Sequence, residues 1–172
     1  MKRPTLIVLS GMPGTGKSTL ASALGKRTGL PVFSVDPIES AILDARIERS
    51  FETGLAAYTV AIALADARLE LGHGAIADAV NAVPWAKQQW RRLARRRRAR
   101  LKIIECVCSD QAIHRRRLRR RRRGLKLSEP TWDDVVRRNQ EWVPWTGRVL
   151  VVDALEPVRR NVERALRWVG SD

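Results

Sequence analysis

The 172 residues carry 33 Lys or Arg against 18 Asp or Glu, a formal net charge of +15, with 44% hydrophobic residues and two cysteines. That length fits one domain, residues 1–172, able to bury a core without disulfides or a structural metal, and no apolar stretch approaches a membrane span. A surface this basic attracts polyanions, so salt-sensitive, non-specific adhesion to nucleic acid is expected whatever else the chain does.

In chain order, the apolar run Leu6 to Leu9 reads as a short buried strand. It is too short for a secretory leader core and has no cleavage site behind it, so a cytoplasmic protein is expected. Behind it, Gly11-Met12-Pro13-Gly14-Thr15-Gly16-Lys17-Ser18 fits the pattern G-x-x-x-x-G-K-S, and Thr19 to Leu24 forms helix readily. Strand, glycine-rich turn and helix are the context in which this pattern cradles phosphates. Glycines let the backbone approach an anion, and the first amides of the helix point at it. Lys17 then reaches the β- and γ-phosphates of a nucleoside triphosphate, and the Ser18 hydroxyl ligates Mg²⁺.

A second strand, Val32 to Val35, ends at Asp36-Pro37. In a parallel sheet that carboxylate emerges on the same edge as the phosphate loop, where it can take the proton of an attacking hydroxyl; it is also suited to cap a helix. Phe51 to Leu71 is apolar over most of its surface and should be a largely buried helix. The third strand, Ala75 to Ala77, is closed by Asp78, the position from which an aspartate steadies Mg²⁺ directly or through water, and Asn81 follows within reach of the same edge.

Arginine dominates two further runs, Arg91 to Arg100 and Arg115 to Arg123, on either side of a fourth strand, Leu101 to Val107. The first reads as a solvated helix face. The second follows Asp110, a helix cap, and suits a mobile lid whose guanidinium groups neutralise the charge of a transferring phosphoryl group. Arg117 and Arg121, four apart, fall on one helical face. Cys106 and Cys108 read as buried thiols that do not bridge. Thr131-x-x-Asp134 and Asp153-x-x-Glu156 are helix-start patterns, the latter after a fifth strand, Val149 to Val152, and opening a helix to about Val169. Of the six tryptophans, Trp90 and Trp168 are expected to be packed in the core, whereas Trp142 and Trp145, flanking Pro144, are candidates for a pocket wall. The alternation of strand and helix predicts an α/β fold with a parallel sheet and helices on both faces.

These residues resemble the small P-loop kinases that include chloramphenicol phosphotransferase-like enzymes, gluconate kinase-like enzymes and the kinase domain of polynucleotide kinases, and look closest to stand-alone members labelled AAA-family ATPases. The resemblance covers nearly the whole chain. It rests on the loop Gly11 to Thr19, Asp36, the segment Asp78-Ala79-Val80-Asn81, which is similar to D-x-T-N, and an arginine-rich lid at about 110–130. It implies a three-layer P-loop NTPase fold with strand order 2-3-1-4-5. It also implies ATP with Mg²⁺, Asp36 as general base, and a loop near Asp153 lining the adenine. Val80 departs from the threonine usual in D-x-T-N, and Ile38-Glu39-Ser40 lacks the arginine with which nucleoside monophosphate kinases hold an acceptor phosphate. A small-molecule acceptor that presents a hydroxyl is therefore expected; a 5′-hydroxyl polynucleotide kinase and a nucleic-acid-associated ATP-binding module are the alternatives.

Overall fold

Residues 3–171 are described by the structure, a computed structural model, and their five strands form one parallel sheet. The strands are β1 (Thr5–Ser10), β2 (Val32–Ser34), β3 (Ala75–Asp78), β4 (Arg100–Val107) and β5 (Val149–Asp153), in the order β2-β3-β1-β4-β5. Seven helices are interspersed: α1 (Lys17–Thr28), α2 (Val35–Asp44), α3 (Phe51–Glu70), α4 (Pro84–Arg96), α5 (Gln111–Arg120), α6 (Trp132–Gln140) and α7 (Val158–Gly170).

The central strand shows why its sequence is an unbroken apolar run. All six residues of β1 are buried. Leu6 and Val8 face α3 and α4, packing with Ala61, Trp90 and Leu93, while Ile7 and Leu9 face α1 and α7, packing with Leu24, Val162 and Ala165. Alternation between two covered faces gives apolar residues at every position. From β1 the chain lays down β2 and β3 on one side and β4 and β5 on the other, which opens a crevice beyond the carboxyl ends of the strands.

Several elements differ from expectation. Helix α3 is not largely buried: Thr53, Ala57, Ala61, Ala65 and Leu69 form its one buried row, and Leu55, Val60 and Leu64 are exposed. Alanines four apart let the helix lie close to the sheet and so select that face. Helix α2 starts at Val35 with Ser34 as its cap position, so Asp36 lies in the first turn instead of capping it. Asp153-x-x-Glu156 does not open α7, which begins beyond Pro157; Asp153 instead closes a turn by accepting from the Leu155 amide at 3.0 Å. The box Thr131/Asp134 does cap α6, and Asp110 caps α5 through the Ile113 amide at 2.8 Å. The first arginine run is only partly a solvated face: Arg97 spans to Asp66 (2.6 Å) and Glu70 (2.9 Å) and Arg96 to Asp66 (3.0 Å), pinning α4 to α3. No helix among the described residues is long and apolar enough to cross a membrane.

Candidate phosphoryl-transfer site

The loop between β1 and α1 is shaped by the protein's own bonds. Thr15 donates twice to the Met12 carbonyl, from Oγ1 at 2.7 Å and from its amide at 3.3 Å, folding the loop back on itself. The Gly11 amide and Ser10 Oγ both reach the Val80 carbonyl, at 3.2 and 3.1 Å. From the far side, the buried His114 donates through Nε2 to the Pro13 carbonyl at 2.7 Å. At the mouth of α1 no side chain caps the first amides, which leaves them directed at whatever anion the loop encloses.

A cleft of about 700 Å³ extends from Gly14 to Leu20 past Arg117 and Arg121 to the segment Ala154 to Val158. It is of the size that small-ligand sites occupy. Arg117 and Arg121 both border it, as the arginine run suggested, but not through a shared helical face: α5 ends at Arg120 and Arg121 is already extended. Asp153 is not on the wall. Its carboxylate accepts from the amides of Ser109 (3.3 Å) and Leu155 (3.0 Å) and so holds the loop that is. Burial works to raise its pKa, yet these bonds leave it lowered.

At one end of the cleft, Lys17, Ser18, Ser34, Asp36, Asp78 and Arg123 enclose a smaller cavity of about 170 Å³. Asp78 accepts from Ser34 Oγ at 2.9 Å through Oδ2, while its Oδ1 is buried with no partner. A buried, undonated carboxylate oxygen in the same cavity as the Ser18 hydroxyl suits a hard divalent cation such as Mg²⁺. No cluster of three acidic, histidine or cysteine ligands exists among the described residues, so an ion there would draw the rest of its coordination from bound substrate or water.

Asp36 enters this cavity beneath the lid. Arg123 donates to its Oδ2, and an Arg121 Nη lies 3.7 Å from the same oxygen. Burial works to raise the Asp36 pKa, but the charges of Lys17 and Arg123, the Arg123 bond and the Arg121 charge outweigh it and hold the carboxyl below the usual range. Glu129 braces the two arginines, accepting from the Arg123 amide at 3.0 Å. The lid then docks on α2 and the loop beyond it, through Lys126 N to Ser40 Oγ (2.9 Å) and Arg49 to Ser128 Oγ (2.8 Å). The sequence reading did not single out Arg123, Ser34, Glu129 or His114. Of these, Ser34, two residues before the strand-end acid Asp36, carried a local signal.

Asn81 is fully buried and built into the scaffold. With φ +55 it donates from Nδ2 to the Leu9 carbonyl (3.1 Å), accepts from Trp90 Nε1 (2.9 Å), and its amide donates to Tyr58 Oη (3.1 Å). Trp90 is buried in the core and Trp168 is partly buried against it, so both are packed as expected. Trp142 borders a separate cavity of about 450 Å³ behind the loop, whereas Trp145 is not a pocket wall: it is buried against the α3–α4 core. Cys106 is buried, and burial pushes its thiol up to about 12; Cys108 lies past the end of β4 and is only half-buried.

The sheet order, with the phosphate loop leaving its central strand, is the P-loop kinase-like fold. The AAA domain family profile matches residues 6–141, and the chain belongs to that family. Among solved structures it is similar to a provisionally assigned kinase from Chloroflexus aurantiacus, at 22% identity and TM-score 0.79, covering 97% of this chain and 99% of that one. It is also similar to a gluconokinase from Sinorhizobium meliloti, at 16% identity and TM-score 0.71, covering 99% and 94%. An APS kinase from Mycobacterium tuberculosis, in complex with AMPPNP and APS, aligns at 16% identity and TM-score 0.72, over 99% and 100%. At these identities the likeness is one of fold. No curated protein matches the chain in sequence.

Proposed function

We propose that the chain is an ATP-dependent kinase that moves the γ-phosphate of ATP to a hydroxyl group of a small molecule. The observation that carries this is one cavity in which a phosphate-loop lysine, a metal-suited pair and a lid-covered carboxylate meet: Lys17, Ser18 with Asp78, and Asp36. The names of solved neighbours, a gluconokinase and an APS kinase, support a small-molecule acceptor.

The triphosphate occupies the larger cleft, with Lys17 and the α1 amides at its β- and γ-phosphates. Ser18 and Asp78 would hold Mg²⁺, which would supply charge neutralisation to the phosphates. Asp36 accepts the proton of the acceptor hydroxyl as that oxygen bonds to the γ-phosphorus. The bond from phosphorus to the β–γ bridging oxygen breaks, and ADP leaves with the charge. Arg121 and Arg123 contact Asp36; in transfer they turn to the γ-phosphate oxygens and so free the base. Arg121 keeps one buried guanidinium nitrogen without a partner, a donor available to such an oxygen.

The test offers labelled γ-phosphate of ATP, a metabolite extract and a 5′-hydroxyl oligonucleotide in one tube at physiological salt. Label in the small-molecule fraction is expected. Label on the oligonucleotide, or only in free phosphate, rejects the proposal.

Arg123→Gln removes one of the cations that depress Asp36, so the carboxyl pKa rises. The acid limb of kcat/KM, which reports the free enzyme, then moves to higher pH. The acid limb of kcat moves less, since in the complex Arg123 has already left the carboxylate. Identical limbs in variant and wild type would show that Arg123 does not set the state of Asp36.

A further inference from the structure

The arginines of the α4 run do not share one fate. Arg96 and Arg97 are compensated by Asp66 and Glu70. Arg91, Arg95 and Arg98 instead line, together with Arg3, an open groove of about 480 Å³ that Ala94 and Leu101 also border. The groove lies at the amino-terminal ends of β1 and β4, the opposite end of the sheet from the phosphate loop. No carboxylate pairs with any of these four among the described residues. Neutral acceptors orient two of them: Arg3 Nε donates to the Arg98 carbonyl at 2.9 Å, and Arg91 donates to Thr146 Oγ1 at 3.1 Å while its guanidinium lies 5.5 Å from the Trp145 ring centroid. Arg98 is itself set in a left-handed backbone turn, φ +50.

We propose that this groove is a docking site for the phosphodiester backbone of a nucleic acid, separate from the catalytic cleft. Four arginines lining one groove without an acid concentrate positive charge there, and a run of phosphates neutralises it while releasing counterions. Arg91 and Arg95 stand one helical turn apart, about 6 Å along the axis, so the charges form a ladder suited to successive phosphates. The groove offers no carboxylate and no exposed aromatic face to select a small ligand or a base, so recognition is independent of sequence. The net charge of +15 draws such a chain in from a distance. The groove is remote from the cleft, so its occupant is independent of any acceptor bound there.

The experiment measures binding of a short fluorescent oligothymidylate by anisotropy across a salt series, with ADP and Mg²⁺ saturating the cleft. Each lost phosphate contact removes about 0.7 from the log–log salt slope for a single strand. R3Q/R95Q is therefore expected to lower the slope by about 1.4 and weaken binding about tenfold or more at low salt, with ATP turnover unchanged. R159Q/R167Q, the same charge loss on the exposed face of α7, is expected to leave the slope as it was. Equal loss in both variants would mean diffuse attraction and overturn the site. Loss of binding in Lys17→Ala would place the oligonucleotide in the catalytic cleft, with the same consequence. Displacement by inorganic tripolyphosphate at equal phosphate concentration would assign the groove to a free oligophosphate and overturn the nucleic-acid assignment.

Discussion

Asp36→Asn is expected to lower turnover by about 10²- to 10⁴-fold, the range for loss of a general base, while ATP affinity stays nearly unchanged. Asparagine keeps the shape of the side chain and an oxygen for Arg123, so the lid still docks; it cannot take a proton. Lys17→Ala acts differently, because in the proposed mechanism the ammonium contacts the phosphates both before and during transfer. It should weaken ATP binding and lower turnover together, the latter by about 10²- to 10³-fold as for removal of one preorganised electrostatic group. Calorimetric ATP titration alongside single-turnover transfer separates the two. Asp36→Asn with turnover within a few-fold of wild type would remove Asp36 as the base. Loss of ATP affinity in that variant would make it a nucleotide-binding residue instead.

What the sequence disclosed about this site follows from how local each determinant is. The phosphate loop is a contiguous segment whose glycines, lysine and serine are all required within eight residues, so its pattern is self-sufficient. Asp36 and Asp78 were legible because a parallel sheet sends every strand's carboxyl end to one edge. Arg123 was not, because its place depends on α5 stopping at Arg120 and the chain turning back over α2, an event decided by Glu129, just beyond the run, and by Ser40, far from it in sequence. Asp153 shows the reverse failure: a cap pattern in sequence became a turn because Pro157 set the start of α7 later. In α3 the hydrophobic content was plain, but which face is buried is decided by side-chain size at Ala57, Ala61 and Ala65, which total hydrophobicity does not register.

Gly11→Ala should be the most damaging substitution to the fold among the loop positions. A Cβ at Gly11 would stand 2.3 Å from the Cys106 carbonyl oxygen and 2.8 Å from Thr15 Oγ1, on a backbone with φ +150. The carbonyl cannot retreat easily, because β1 and β4 are in register from Thr5↔Arg100 to Ser10↔Glu105, and moving Cys106 pulls on that ladder. Backbone strain of about 1–3 kcal/mol and overpacking of a similar size together remove much of a stability that for a domain is typically about 5–15 kcal/mol. Gly14→Ala is the comparison: its Cβ would meet side chains and no backbone, the edge of the His114 ring at 3.1 Å and Leu118 at 3.5 Å, with φ +87. That variant should stay folded, with a smaller loss in urea midpoint and weakened ATP binding, because the loop deforms where it faces the phosphates rather than where it crosses β4. Urea midpoints of the two proteins, each with and without ATP, decide the matter. If Gly11→Ala unfolds at the wild-type midpoint, the loop is not clamped against β4, and the shape of the anion cradle must come from the nucleotide and not from the sheet beneath it.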